Sequence, residues 1–310
     1  LKDDSAEVRQ LAARSLGSIG VVSALTPLRR ALQDPAAPVR QTAAWALGEI
    51  GEKSAVPALS AALKDVDPDV RATTVWALGQ ISDSASTAPL ATVLQDDDPE
   101  VRQMAVWALG QVGDRSTVRP LSQALKDRDE DVRGMAAWAL GQVGDEAAVP
   151  ALTGALKDQS SDVRSTSAWA LGQVGESQAV PGLVAALKDP VADVQASAAW
   201  ALGQIGSAQA IDGLKDALKD ADADVQETAA WALAQIDDDR ADEAVTAYYK
   251  SGGLEERHGP HPHPHPHPHM SYRLMSGMPM PMPMPMPMPM PNMGGRMRMH
   301  VHPHVRVRVN

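Results

Sequence analysis

Apolar and polar positions recur along this chain on a fixed pitch. Val70, Thr74, Ala77, Leu78 and Ile81 stand at offsets 0, 4, 7, 8 and 11, which gather into one stripe on a helix of 3.6 residues per turn. Just upstream, "SAVPALSAALKD" (54–65) sets Val56, Leu59, Ala62 and Leu63 at helical spacing. Its Pro57 falls in the first turn, where no N–H is needed. The Asp-rich "DVDPD" between the two stretches offers capping side chains for the second helix, and a Gly or small residue closes it. The pattern therefore predicts two helices joined by a short turn.

The arrangement repeats. Trp45, Trp76, Trp107, Trp138, Trp169, Trp200 and Trp231 lie 31 residues apart, and a copy without Trp begins at Val8, 31 residues before Val39. That makes eight copies with no insertion or deletion. A single helix pair cannot bury both stripes, so neighbouring units must stack into a continuous core. The expected fold is an all-α solenoid over residues 1–250. A further helix in "RADEAVTAYYKSGG" is expected to cap it, with Tyr248 and Tyr249 over the open core and Gly252 and Gly253 as the stop. Leu1 has the phase of Leu63, so the expectation is a chain that starts mid-repeat, as a piece of something longer.

Composition divides the chain at the same place. Residues 1–250 carry a net charge of −15, whereas 251–310 carry +4 with all nine His and most Met. There is no Cys, which removes disulfides and thiolate chemistry. No apolar run is long enough for a membrane span, and the expectation is a soluble body, cytoplasmic or periplasmic.

The units resemble HEAT repeats of the short kind found in phycobilin-lyase-like proteins, over residues 1 to about 250. The resemblance implies a right-handed α–α superhelix. An Asp ends the first helix of every unit (Asp3, Asp34, Asp65, Asp96, Asp127, Asp158, Asp189, Asp220), and an Arg follows six residues later in six of them, from Arg9 to Arg164. HEAT-type families use this pair as an inter-repeat ladder; Gln195 and Gln226 depart from it. A singular active site does not recur on every unit, so the ladder reads as architecture. The "AWALGQI" copies are similar to HEAT arrays appended to bacterial membrane-bound sensor metallopeptidases, which would place a peptidase upstream of Leu1. Enzymatic HEAT-like relatives such as deoxyhypusine hydroxylase hold iron with His–Glu pairs inside the repeats. Residues 1–257 contain no His, and the chain is expected not to be an enzyme and to require no cofactor.

Two sets of residues are candidate sites. Each Trp stands about 240° around the wheel from the first stripe residue, away from the stripe, with Gln80, Gln111, Gln142, Gln173, Gln204 or Gln235 one turn on and Glu49 after Trp45. In HEAT-like solenoids the second helices line the concave surface. The Trp/Gln array is then a face for a protein or a Pro-rich peptide, or else each indole seals the stack against small neighbours. The second set is in the tail: His261, His263, His265, His267 and His269 in "HPHPHPHPH", and Met280, Met282, Met284, Met286 and Met288 in the Met-Pro run. Alternate Pro favours extended polyproline II. Imidazole suits copper(II), nickel and zinc, and thioether suits copper(I), so the alternative function is a metal-binding or delivery module; drift of a short repeat explains the same tract. Nucleic acid is not an expected partner, because five Arg after residue 257 are tethered to a strongly acidic body.

Overall fold

The computed structural model describes residues 1–251. The His/Met candidates of the tail and the glycines at 252 and 253 lie outside the described residues.

Sixteen α-helices, and no strand, occur among them. Eight long helices are the second helices of the eight units: α1 (Ala6–Ile19), α3 (Ala37–Ile50), α5 (Pro68–Ile81), α7 (Pro99–Val112), α9 (Glu130–Val143), α11 (Ser161–Val174), α13 (Ala192–Ile205) and α15 (Ala223–Ala234). Seven short helices alternate with them: α2 (Leu25–Ala31), α4 (Val56–Ala62), α6 (Thr87–Val93), α8 (Val118–Ala124), α10 (Val149–Ala155), α12 (Val180–Ala186) and α14 (Ile211–Ala217). Each short helix enters through a 3₁₀ turn, such as Lys53–Ala55 before α4. The stretch expected as one helix over 54–65 is thus a tight turn followed by two turns of α-helix. α16 (Asp239–Lys250) closes the array.

Local chemistry accounts for the boundaries. Asp67 caps α5 by accepting from the N–H groups of Asp69 and Val70, and Asp129 and Asp222 do the same for α9 and α15. Seven of the eight long helices end on residues in the left-handed region: Gly20, Gly51, Gly113, Gly144, Gly175 and Gly206, with Ser82 (φ 50°) after α5, while α15 ends on Gln235 without one.

Consecutive long helices pack against each other, and each short helix packs on the long helix that follows it. The core lies between these two layers, where Leu28, Leu59, Leu90, Leu121, Leu152 and Leu183 of the short helices meet Leu47, Leu78, Leu109, Leu140 and Leu171 of the long ones, all fully buried. At one end, Val8, Leu11 and Ile19 of α1 face solvent. At the other, Tyr248 of α16 is buried and donates through its hydroxyl to the Gln226 side-chain oxygen at 3.2 Å. Tyr249, expected to share the cover, is 54% exposed.

Candidate functional site

The long helices approach closely because their contact residues are small. A Cβ built on Gly48 would stand 2.8 Å from the Ala77 Cα, and one on Gly172 would stand 2.8 Å from the Ala201 Cα. The same glycines receive the indoles. The Trp76, Trp107, Trp169, Trp200 and Trp231 Cζ3 atoms lie within 2.6–2.9 Å of a Cβ on Gly48, Gly79, Gly141, Gly172 and Gly203 respectively. Each Trp is laid over the glycine of the preceding unit, a position only a residue without a side chain can give. Trp45 approaches Gly17 in the same way, at 3.0 Å.

Burial follows. Trp76, Trp107, Trp169 and Trp200 are only 4–7% exposed, while Trp45, Trp138 and Trp231 are half-buried. An open aromatic ladder on all seven units is therefore corrected: these four indoles fill the joints between long helices, as the sealing alternative describes. The indole nitrogens of Trp107, Trp169 and Trp200 are buried without a hydrogen-bond partner, which suits packing better than recognition. The amides behave as expected. Gln80, Gln111, Gln142, Gln173, Gln204 and Gln235 are all exposed, as is Glu49.

Trp138 is the exception in the middle of the array. A Cβ on Gly110 would meet Ala139 and no indole, and the Ala139 Cα is 3.7 Å from it. Met135 stands at that joint and is fully buried. Its position faces the preceding long helix, since Thr42 and Thr73 at the same place accept from Gln10 and Gln41 of the units before them. Thr or Ser stands there in most units, whereas α9 has a fully buried Met135 and α7 has Met104. Met104 leaves Trp107 over Gly79 in the ordinary way, so a methionine there does not by itself open a joint; at α9 the buried Met135 and the uncovered Gly110 occur together. Beside Trp138 on the same face, a Cβ on Gly134 would meet nothing within 4 Å.

The ladder is present as a set of bidentate pairs, each joining one unit to the next. The Arg102 Nε and Nη2 donate to the two carboxylate oxygens of Asp127 at 2.8 and 2.9 Å, and its Nη1 donates to the Asp96 carbonyl at 2.9 Å. Arg9, Arg40, Arg71, Arg133 and Arg164 bind Asp34, Asp65, Asp96, Asp158 and Asp189 in the same way. Each carboxylate also accepts a backbone N–H two residues on, as Asp34 does from Ala36. The Arg9 and Arg40 guanidinium groups hold the Asp34 and Asp65 carboxyls below the ordinary aspartate range. At Asp96, Asp158 and Asp189 burial pushes upward, but the paired Arg and the N–H outweigh it, and these carboxyls are lowered too. Where Gln226 replaces Arg, its amide keeps only the inner bond, to the Asp220 carbonyl at 2.6 Å.

On the short-helix side, sequence reasoning missed a groove of about 900 Å³ between α8 and α10, edged by Arg115, Arg119, Lys126 and Lys157 and floored by Ala151 and Gly154. The Lys that precedes six of the eight ladder Asp residues was the available signal. No group of three or more His, Asp or Glu among the described residues is arranged to hold a metal ion.

Stacked helix pairs tied by an Asp/Arg ladder define an α-solenoid. The profile of HEAT repeats matches residues 1–70, 56–127, 118–197 and 180–257, and the chain belongs to the HEAT-repeat family. No curated protein matches it. Among solved structures, an engineered protein is similar at 24% identity and TM-score 0.52, over 82% of this chain and 80% of that one. That likeness concerns the fold alone. The CpcE–CpcF complex of phycocyanin lyase from Nostoc sp. PCC7120 aligns at 24% identity and TM-score 0.43, over 72% and 92%. Human deoxyhypusine hydroxylase in complex with glycerol aligns at 27% and 0.36, over 75% and 91%. No helix among the described residues is long and apolar enough to cross a membrane.

Proposed function

We propose that this HEAT array is a protein-interaction scaffold whose long-helix side takes a Pro-rich segment, with Trp138 as the aromatic anchor and the Gln row as the hydrogen-bonding rail. The observation that carries the reading is local. In the centre of the array, between the buried Trp107 and Trp169, Trp138 is half-buried, Gly134 beside it meets open space, and Gln111 and Gln142 are exposed nearby. Polyproline II arrives already ordered and leaves its carbonyls free, so an indole and amide donors suit it. The chain's own 260–291 segment has that composition, and Met adds favourable sulfur–aromatic contacts. Copper, nickel or zinc binding by the tail concerns residues outside those described.

The test uses the body ending at Ser251, which contains every contact described above, and a synthetic peptide of residues 258–293. The expected result is a saturable change in Trp fluorescence that Trp138→Ala abolishes and Gln142→Ala weakens. A response that survives Trp138→Ala, or no response, overturns the reading.

A further inference from the structure

The groove between α8 and α10 is unlike its neighbours in two respects, charge and shape. The body is acidic overall, yet this groove is edged by four cations. The acidic residues beside them are already engaged. Asp127, next to Lys126, accepts both guanidinium N–H groups of Arg102 and the N–H of Asp129. Asp158, next to Lys157, is held in the same way by Arg133 and by the N–H of Ser160. Their charge is turned inward and compensated there. Arg115 has acidic neighbours, Asp145 at 3.6 Å and Glu146 at 3.9 Å. Arg119, Lys126 and Lys157 reach into solvent along the two rims, so the field that survives at the groove is positive.

The shape has its own cause. Between α10 and α12, a Cβ on Gly182 would lie 2.9 Å from Thr153 Cγ2, and between α12 and α14 one on Gly213 would lie 3.1 Å from Val184 and from Leu187. Those glycines stand at the place of Ala151 in the repeat, three residues before that of Gly154, and are covered by side chains of the preceding short helix. Gly154 stands where the neighbouring short helices carry Gln123, Ala185 and Asp216, and a Cβ there would meet nothing within 4 Å. It has neither a left-handed backbone nor a packing neighbour to require it, and glycine inside a helix costs about 0.5–1 kcal/mol relative to alanine. What its bareness does is keep the groove floor low.

We propose that this groove is a second binding site, on the face opposite the Trp/Gln side, and that its ligand is an extended acidic peptide of a partner protein. The backbone of such a peptide lies on Ala151 and Gly154, and its carboxylates alternate between Arg119 and Lys126 on one rim and Lys157 on the other. The proposal is independent of the Pro-rich reading, because no residue is shared between the two surfaces.

The experiment uses the full chain and a fluorescein-labelled peptide of six Asp-Gly repeats, read by anisotropy at low salt, with Ser-Gly and Lys-Gly peptides as controls. The site requires saturable binding of the acidic peptide alone, weakened at least tenfold by the double reversal Arg119→Glu, Lys157→Glu. The second variant is Gly154→Leu, which fills the floor without touching a charge or the core. It is expected to lower affinity at least tenfold while the melting temperature stays level or rises. Binding that Gly154→Leu leaves unchanged reduces the effect to loose surface charge and overturns the site. So does stronger capture of single-stranded RNA or anionic vesicles than of the acidic peptide, or no saturable binding at all.

Discussion

Trp200 and Gly172 show how one residue depends on another across a joint. A Cβ on Gly172 would come within 2.7 Å of the Trp200 ring and 2.8 Å of the Ala201 Cα, and backbone cannot swing aside as a side chain can. Gly172→Ala should therefore destabilise the body by about 2 kcal/mol, the size of overpacking in a dense core, seen as a lower urea midpoint. Trp200 carries an orphaned indole nitrogen in that joint, and leaving a buried donor unpaired costs about 1–3 kcal/mol. Trp200→Phe keeps most of the ring and removes the donor, so it should change stability by less than about 1 kcal/mol, whereas Trp200→Ala should lose about 3–5 kcal/mol. Equal losses for the two would show that the N–H has a partner after all. The sequence placed the indoles off the core stripe, which is correct. It misjudged what lies off the stripe. A wheel argument assumes one buried side, but a solenoid helix is also covered on the two flanks where it meets its neighbours, and an indole turned away from the stripe lands on a flank.

At the scale of helices, the ladder ties unit to unit, and the α7–α9 joint at Met135 can be tested by itself. If Met135 holds that joint open, Met135→Thr should draw α9 onto α7 and lay Trp138 over Gly110. Collisional quenching of Trp fluorescence by acrylamide should then fall to that of a Trp138→Phe body, in which Trp45 and Trp231 remain half-buried. Unchanged quenching would mean that another feature holds the joint open. The ladder pairs are largely buried; the Arg102 side chain is 4% exposed. Removing one partner of such a pair leaves an uncompensated charge inside, so Arg102→Ala should lose about 3 kcal/mol, far more than a surface ion pair contributes. The carboxyls at Asp34, Asp65, Asp96, Asp158 and Asp189 are lowered in the folded body. A lowered carboxyl stabilises fully above its unfolded value, about 3.9, and the gain fades as pH falls through the folded value. Thermal melts should thus be level from neutral pH to about 5 and drop steeply below about 4. A melting temperature unchanged to pH 3 would contradict the ladder's role. Both the pairing residues and their period were legible from Asp and Arg six apart. That the pair bridges units followed from the resemblance to HEAT repeats, whereas the six-residue spacing alone did not say which Asp: each Arg reaches that of the next unit, 25 residues on.

Across the whole array the described contacts run between adjacent units, so stability should accumulate unit by unit. The two ends differ. α16 covers the last unit with Tyr248, while α1 presents Val8, Leu11 and Ile19 to solvent. Hydrogen exchange should accordingly be fastest in α1, slow in α7 to α13, and intermediate in α15. Deleting α16 should bring α15 to the rate of α1; no change there would show that the cap is ornamental. Helical class, unit length, cap and core leucines could be read from periodicity alone, since each rests on local spacing. The α8–α10 groove could not. It depends on the distance between helices that never adjoin in sequence and on which ladder charges are already spent.

The constancy of the 31-residue pitch has a consequence for how such a chain changes over time. Cut anywhere inside the array and remove one full period: the two stumps meet in phase, with Arg facing Asp and Trp facing Gly as before. Insertion of a period heals in the same way. A slip during copying that adds or drops three times thirty-one bases therefore yields a protein shorter or longer by one rung, with every joint of the ordinary kind. A slip that is not a whole multiple of that length breaks the phase and exposes two unmatched faces. The register that holds the stack together is also a filter on its own inheritance, passing whole units and rejecting fractions.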